Sequence, residues 1–137
     1  MKRTAFTMIE LVFVIVVLGI LAAVIVQKIN AVRTDARATQ TIADFNNCVR
    51  NVTAYAFARN QLPVVDELCE NSVGPLGGIA VTPTTVTATI KSTLCASGTL
   101  YPNGDFNVTI VSTAGDCEVF GGQNDSNYKL RGGNVVR

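Results

Sequence analysis

Histidine and tryptophan are both absent from the 137 residues. Without histidine the chain lacks the side chain that most often acts as general base, activates a nucleophile or supplies nitrogen to a metal near neutral pH. Ser72, Ser92, Ser97, Ser112 and Ser126 therefore have no imidazole to draw a proton. No carboxylate pair stands in a catalytic pattern, and no glycine motif cradles a phosphate. The glycine pairs beginning at 77, 121 and 132 read as turns. An enzyme is the least supported class, and no catalytic residue is expected. Charge is also scarce. Eleven basic and ten acidic residues leave a net +1, so no field draws the chain to nucleic acid. Tyr55, Phe57, Tyr101 and Phe120 are read as core or turn aromatics rather than a stacking surface for bases. Internal repeats and low-complexity tracts are missing too.

What the chain has in excess is apolar surface, at 48% of residues and a mean hydropathy of +0.34. Residues 11–26 carry no charge and no strongly polar side chain. Extended back to Phe6, the run gives about 31 Å of helix, the thickness of a bilayer's hydrocarbon. Lys2 and Arg3 precede it and predict a cytoplasmic N-terminal side. All four cysteines, at 48, 69, 95 and 117, lie downstream, which suits an oxidising space across the membrane. A secretory signal would be cut after the run. Ala22-Ala23 offers a place for that, but the helical pattern continues through Gln27 to Arg33, so an uncut helix is the preferred reading. Glu10 resists a plain anchor. A carboxylate inside a membrane helix costs about 2.5–3.5 kcal/mol near the centre and less near an end.

The run Ala5-Phe6-Thr7-Met8-Ile9-Glu10-Leu11, followed by Val14-Ile15-Val16-Val17-Leu18-Gly19-Ile20-Leu21-Ala22-Ala23, resembles the N-terminus of type IV pilins and type II secretion pseudopilins. The resemblance covers about the first 25 residues. It implies a leader, residues 1–5, removed by a prepilin peptidase between Ala5 and Phe6, with N-methylation of Phe6. It also implies that Glu10 pairs in the assembled filament with the Phe6 amino group of a neighbouring subunit. Two opposite charges in an apolar core must pair or each bears a desolvation cost of several kcal/mol, so pairing sets register. The implied partners are further copies of the chain, an inner-membrane assembly platform, minor pilins, and membrane lipid before assembly. The chain departs from the family at two points: Ala5 stands where glycine is usual, and no proline occurs near Gln27.

Past the membrane stretch, Ile29, Val32, Ala36, Thr39, Ile42, Phe45, Val49, Val52 and Ala56 recur every three or four residues, as on one face of an amphipathic helix ending before Pro63. A second short helix is expected within residues 63–71, and strands within 81–92. Asn103-Gly104-Asp105 marks a turn. Residues 106–112 and 117–120 are expected to form a hairpin about 113–116, and 128–131 a last strand. The expected fold class is α+β and pilin-like. A long N-terminal helix, its first half transmembrane, packs on a small antiparallel sheet. The segments are a leader (1–5), a membrane or filament-core half-helix (6–26), an amphipathic half-helix (27–62) and a globular head (63–137).

Four cysteines permit three pairings. Cys48–Cys69 and Cys95–Cys117 are favoured, each closing a loop of about twenty residues and stabilising by ~3 kcal/mol in the chain-entropy view. The spacings lack the paired knuckles of a zinc site. Asp116, Glu118, Asn124, Asp125 and Asn127 gather oxygens near one glycine-rich loop. Calcium is the only cofactor they suggest, and a solvated loop is the preferred reading. The leading expectation is a filament subunit of a pilus or secretion pseudopilus, moving from bacterial inner membrane to filament. The alternative is a bitopic, membrane-anchored periplasmic binding module that never polymerises.

Overall fold

A computed structural model describes residues 7–130. Ala5 and Phe6, the expected processing positions, lie outside the described residues, as do the leader and residues 131–137. In chain order the elements are α1 (Met8–Arg59), α2 (Val65–Leu68), β1 (Gly78–Val81), β2 (Thr85–Ile90), β3 (Thr93–Leu100), β4 (Asp105–Ile110), a 3-10 helix (Gly115–Phe120) and β5 (Ser126–Lys129). The fold is α+β, with a long N-terminal helix and a five-stranded antiparallel sheet. Two compact units divide the chain, Met1–Asp35 and Ala36–Arg137.

The described part of the first unit is the N-terminal portion of α1. Met8–Val26 is long and apolar enough to cross a membrane, a property shared by membrane anchors and signal sequences. Every side chain from Thr7 to Val26 is exposed, so the chain's own fold covers none of this apolar surface. Proline is absent from the whole of α1, and Gly19 is its only glycine. The helix stops for local reasons. Asn60 adopts a left-handed φ of 51°, and Pro63 follows within three residues.

The second unit holds the core. Phe45, Cys48, Val49, Val52 and Ala56 of α1 are buried with Ile79, Val86, Ala88, Ile90, Cys95, Ala96, Phe106 and Phe120. The Phe45 and Phe120 rings meet edge to face at 6.1 Å. The sheet runs β1-β2-β3-β4-β5, so every strand pairs with its neighbour in sequence. Along β2 the alternation is complete: Val86, Ala88 and Ile90 face the core, while Thr85, Thr87 and Thr89 face away. The outward face continues as Thr85–Thr99–Asn107–Asn127 and Thr87–Ser97–Thr109 across paired strands. It is a surface of hydroxyls and amides.

Three expectations are corrected. The amphipathic face holds from Phe45 onward, but Ile29, Val32, Ala36 and Thr39 are exposed, and Ala38 and Thr41 are buried instead. Alanine and threonine mark a face weakly, and the Thr41 hydroxyl tolerates burial by donating to the Arg37 carbonyl at 2.9 Å. The hairpin expected between residues 106–112 and 117–120 does not form. Residues 117–120 belong to a 3-10 turn, in which positions i and i+3 eclipse. That geometry buries Cys117 and Phe120 together on one side, and β5 pairs with β4 in place of the expected partner. Finally, the strand-rich region does not end at Ser92. Lys91 and Ser92, both with positive φ, make a two-residue turn into β3, the longest strand.

Candidate functional site

The N-terminus of α1 carries the residues singled out from the sequence. Thr7 precedes the first helical residue, and Glu10 lies in the first turn. One Glu10 carboxylate oxygen, Oε2, accepts from the Thr7 backbone N–H at 2.9 Å and from the Thr7 hydroxyl at 2.8 Å. The Glu10 and Leu11 N–H groups in turn donate to the Thr7 carbonyl at 3.1 and 3.4 Å. This is the carboxylate half of a capping box, T-x-x-E, whose acid reaches back to a donor the helix leaves orphaned. A carboxylate in the first turn also faces the positive end of the helix dipole. The signal for it in the sequence is the spacing Thr7-Met8-Ile9-Glu10. Glu10 thus has a partner within its own chain, and Phe6 lies outside the described residues.

In the second unit the cysteines form the two favoured pairs. Cys48–Cys69 ties α1 to the segment after α2, with Cα atoms 5.1 Å apart. Cys95–Cys117 ties β3 to the 3-10 helix at 5.3 Å. A bulge positions Cys95. Ala88 pairs with Ala96 but Thr89 pairs with Leu94, so Cys95 is the extra residue. The consecutive residues Cys95 and Ala96 are both buried as a result.

Sequence reasoning missed Arg37. Its Nη2 donates to the Ser72 carbonyl at 2.6 Å and its Nε to the Gly77 carbonyl at 3.3 Å. The fork thereby fixes the loop that leads into β1. Within that loop the Ser72 hydroxyl accepts the Ile79 N–H at 3.3 Å, and the Ser72 N–H donates to the Ile79 carbonyl at 2.9 Å. Nothing in the periodicity of α1 marks Arg37, because a cation off the apolar face looks solvated.

The oxygen-bearing residues considered for calcium have separate engagements. Asp116 pairs with Lys91 at 2.8 Å, and Asp125 accepts the Ile110 N–H at 2.6 Å. Asn127 sits in β5 opposite Asn107. Among the described residues no group of three His, Cys, Asp or Glu side chains is placed to hold a metal ion.

Comparison with protein-family models, with curated proteins and with solved structures finds no match for this chain.

Proposed function

We propose that this chain is a filament subunit of the type IV pilin and type II secretion pseudopilin kind. It is stored in the bacterial inner membrane and polymerises through its N-terminal helix. One observation carries the reading. An apolar helical stretch, Met8–Val26, is left uncovered by the chain's own fold and bears a single carboxylate, Glu10, in its first turn. Surface of that kind needs lipid or other copies around it. A filament of like helices supplies both requirements: apolar neighbours for the stripe, and the Phe6 amino terminus of an adjoining copy for Glu10. Prepilin peptidase would remove residues 1–5, and the head, downstream of the helix and held by two disulfides, would face the periplasm or exterior. An assembly platform and minor subunits would place each copy. In this role the protein performs no catalysis.

A second reading is favoured by one specific observation. The Thr7–Glu10 cap gives the carboxylate a task that needs no second copy. A bitopic periplasmic binding module that stays monomeric is compatible with it.

Glu10→Gln separates the two. Glutamine at the third helical position still reaches back to the Thr7 N–H, so the cap survives, whereas the negative charge is gone. Loss of filaments in both Glu10→Gln and Glu10→Val, with membrane insertion intact, is the expected result and supports the charge pair. Normal filaments in Glu10→Gln would sink it. Intact mass of the extracted protein adds the processing test: loss of residues 1–5 plus one methyl group is expected.

A further inference from the structure

The second unit contains a cleft of about 450 Å3 between α1 and the segment that follows α2. Its size is that of a small-ligand site. Its chemistry is unlike the rest of the core. Gln40, Asp44, Asn47 and Asn51, spaced at i, i+4, i+7 and i+11, put one polar row of α1 along the cleft, and Glu70 and Ser72 line it from the other wall.

The cleft is held open at three points. Arg37 grips the Ser72 carbonyl near one end. The Cys48–Cys69 disulfide joins the walls. Asn51 Nδ2 donates to the Leu68 carbonyl at 3.2 Å. A site braced in this way is pre-organised and loses little freedom when occupied.

Hydrogen-bond capacity then says what fits. Asn51 commits one N–H of its amide to Leu68, which fixes the group and leaves its Oδ1 as an acceptor. Gln40 Oε1 accepts from Arg37 at 2.9 Å and Asn47 Oδ1 from Arg50 at 2.7 Å, so both present their NH2 groups as donors. Asp44 takes only a long 3.5 Å contact from the Ser72 hydroxyl. Together with Glu70 it gives the lining two carboxylates, while the guanidiniums of Arg37 and Arg50 stand at its margin, each already engaged by a lining oxygen. Amide donors suit the carbonyl groups of a main chain. Two carboxylates suit an ammonium or a guanidinium.

We propose that this cleft binds a basic peptide. An extended segment of another polypeptide places its backbone against Gln40 and Asn47 and its Lys or Arg side chain between Asp44 and Glu70. The inference does not depend on polymerisation.

The full chain in detergent micelles, isotope-labelled for NMR, would be titrated with Nα-acetyl-Gly-Arg-Gly-amide. The counterpart Nα-acetyl-Gly-Glu-Gly-amide is the control. The expected result is saturable shifts of the Gln40 and Asn47 side-chain amides with the arginine peptide alone. Asp44→Asn combined with Glu70→Gln should weaken binding at least about tenfold while the rest of the spectrum is unchanged. Asp66→Asn combined with Glu118→Gln removes the same charge elsewhere and should leave binding intact. Equal shifts with both peptides, shifts scattered over the surface, or equal loss in both double variants would overturn the proposal.

Discussion

At the scale of single residues, the tightest constraint lies where the loop enters the sheet. Gly78 has φ of +147°, and a β-carbon there would collide with the Ser72 carbonyl oxygen. The same carbonyl receives the Arg37 guanidinium. It can move only by breaking a charge-assisted hydrogen bond. Gly78→Ala is therefore expected to destabilise the second unit by about 3 kcal/mol, through strain and a backbone clash together. Denaturant unfolding would measure it, and a loss under 1 kcal/mol would mean that the loop is softer than its hydrogen bonds indicate. Glu10 is a different kind of residue. One oxygen is engaged twice by Thr7, so any intermolecular role must be shared with, or exchanged for, a local one.

At the scale of elements, Arg37 does for the β1 entry loop what the Cys48–Cys69 bond does for the segment after α2. Arg37→Ala should cost about 1.5–3 kcal/mol by removing a charged donor from two loop carbonyls. Arg37→Lys should recover less than half of that, because an ammonium cannot reproduce the fork. Thermal melts of the three proteins would rank them, and full recovery by lysine would refute the forked geometry. Arg37 also marks the limit of what was legible in the sequence. The long helix, its end before Pro63 and the Asn103-Gly104 turn follow from patterns of two to four residues, and the preferred cysteine pairs from the short loops that neighbouring cysteines close. The strand β3, Thr-Leu-Cys-Ala-Ser-Gly-Thr-Leu, has neither strong β-branched character nor clean alternation, because Gly98 leaves room for Phe106 and the bulge at Cys95 breaks the period. Residues 117–120 carry Val and Phe and so resemble a strand. Their actual conformation is set by where Cys95 and Phe45 wait for Cys117 and Phe120, which is long-range information. Of the candidate site, Thr7-x-x-Glu10 was visible as a spacing, whereas the polar cleft required α1 to face a segment about twenty-five residues away.

At the scale of the whole molecule, the two units make opposite demands on their surroundings. Among the described residues, every core residue belongs to the second unit, from Ala38 onward. The first unit contributes apolar surface and buries none of its described residues before Val26. A fragment comprising Ala36–Arg137 is accordingly expected to be soluble, monomeric and fully oxidised. The full chain should partition into detergent or membrane. Size-exclusion chromatography with a free-thiol assay would test both, and aggregation or free thiols in the fragment would show that the head relies on the preceding helix.

The cysteine order has a last consequence. Each thiol bonds to the next one along the chain, Cys48 to Cys69 and Cys95 to Cys117, and neither loop encloses a cysteine of the other pair. A polypeptide threading into an oxidising compartment with residue 48 ahead of residue 117 would bring out Cys69 while Cys48 is the only other thiol present, and that pair can close before Cys95 and Cys117 arrive. Oxidation in order of arrival then yields the native connectivity directly, and an enzyme that shuffles mismatched bridges has nothing to correct.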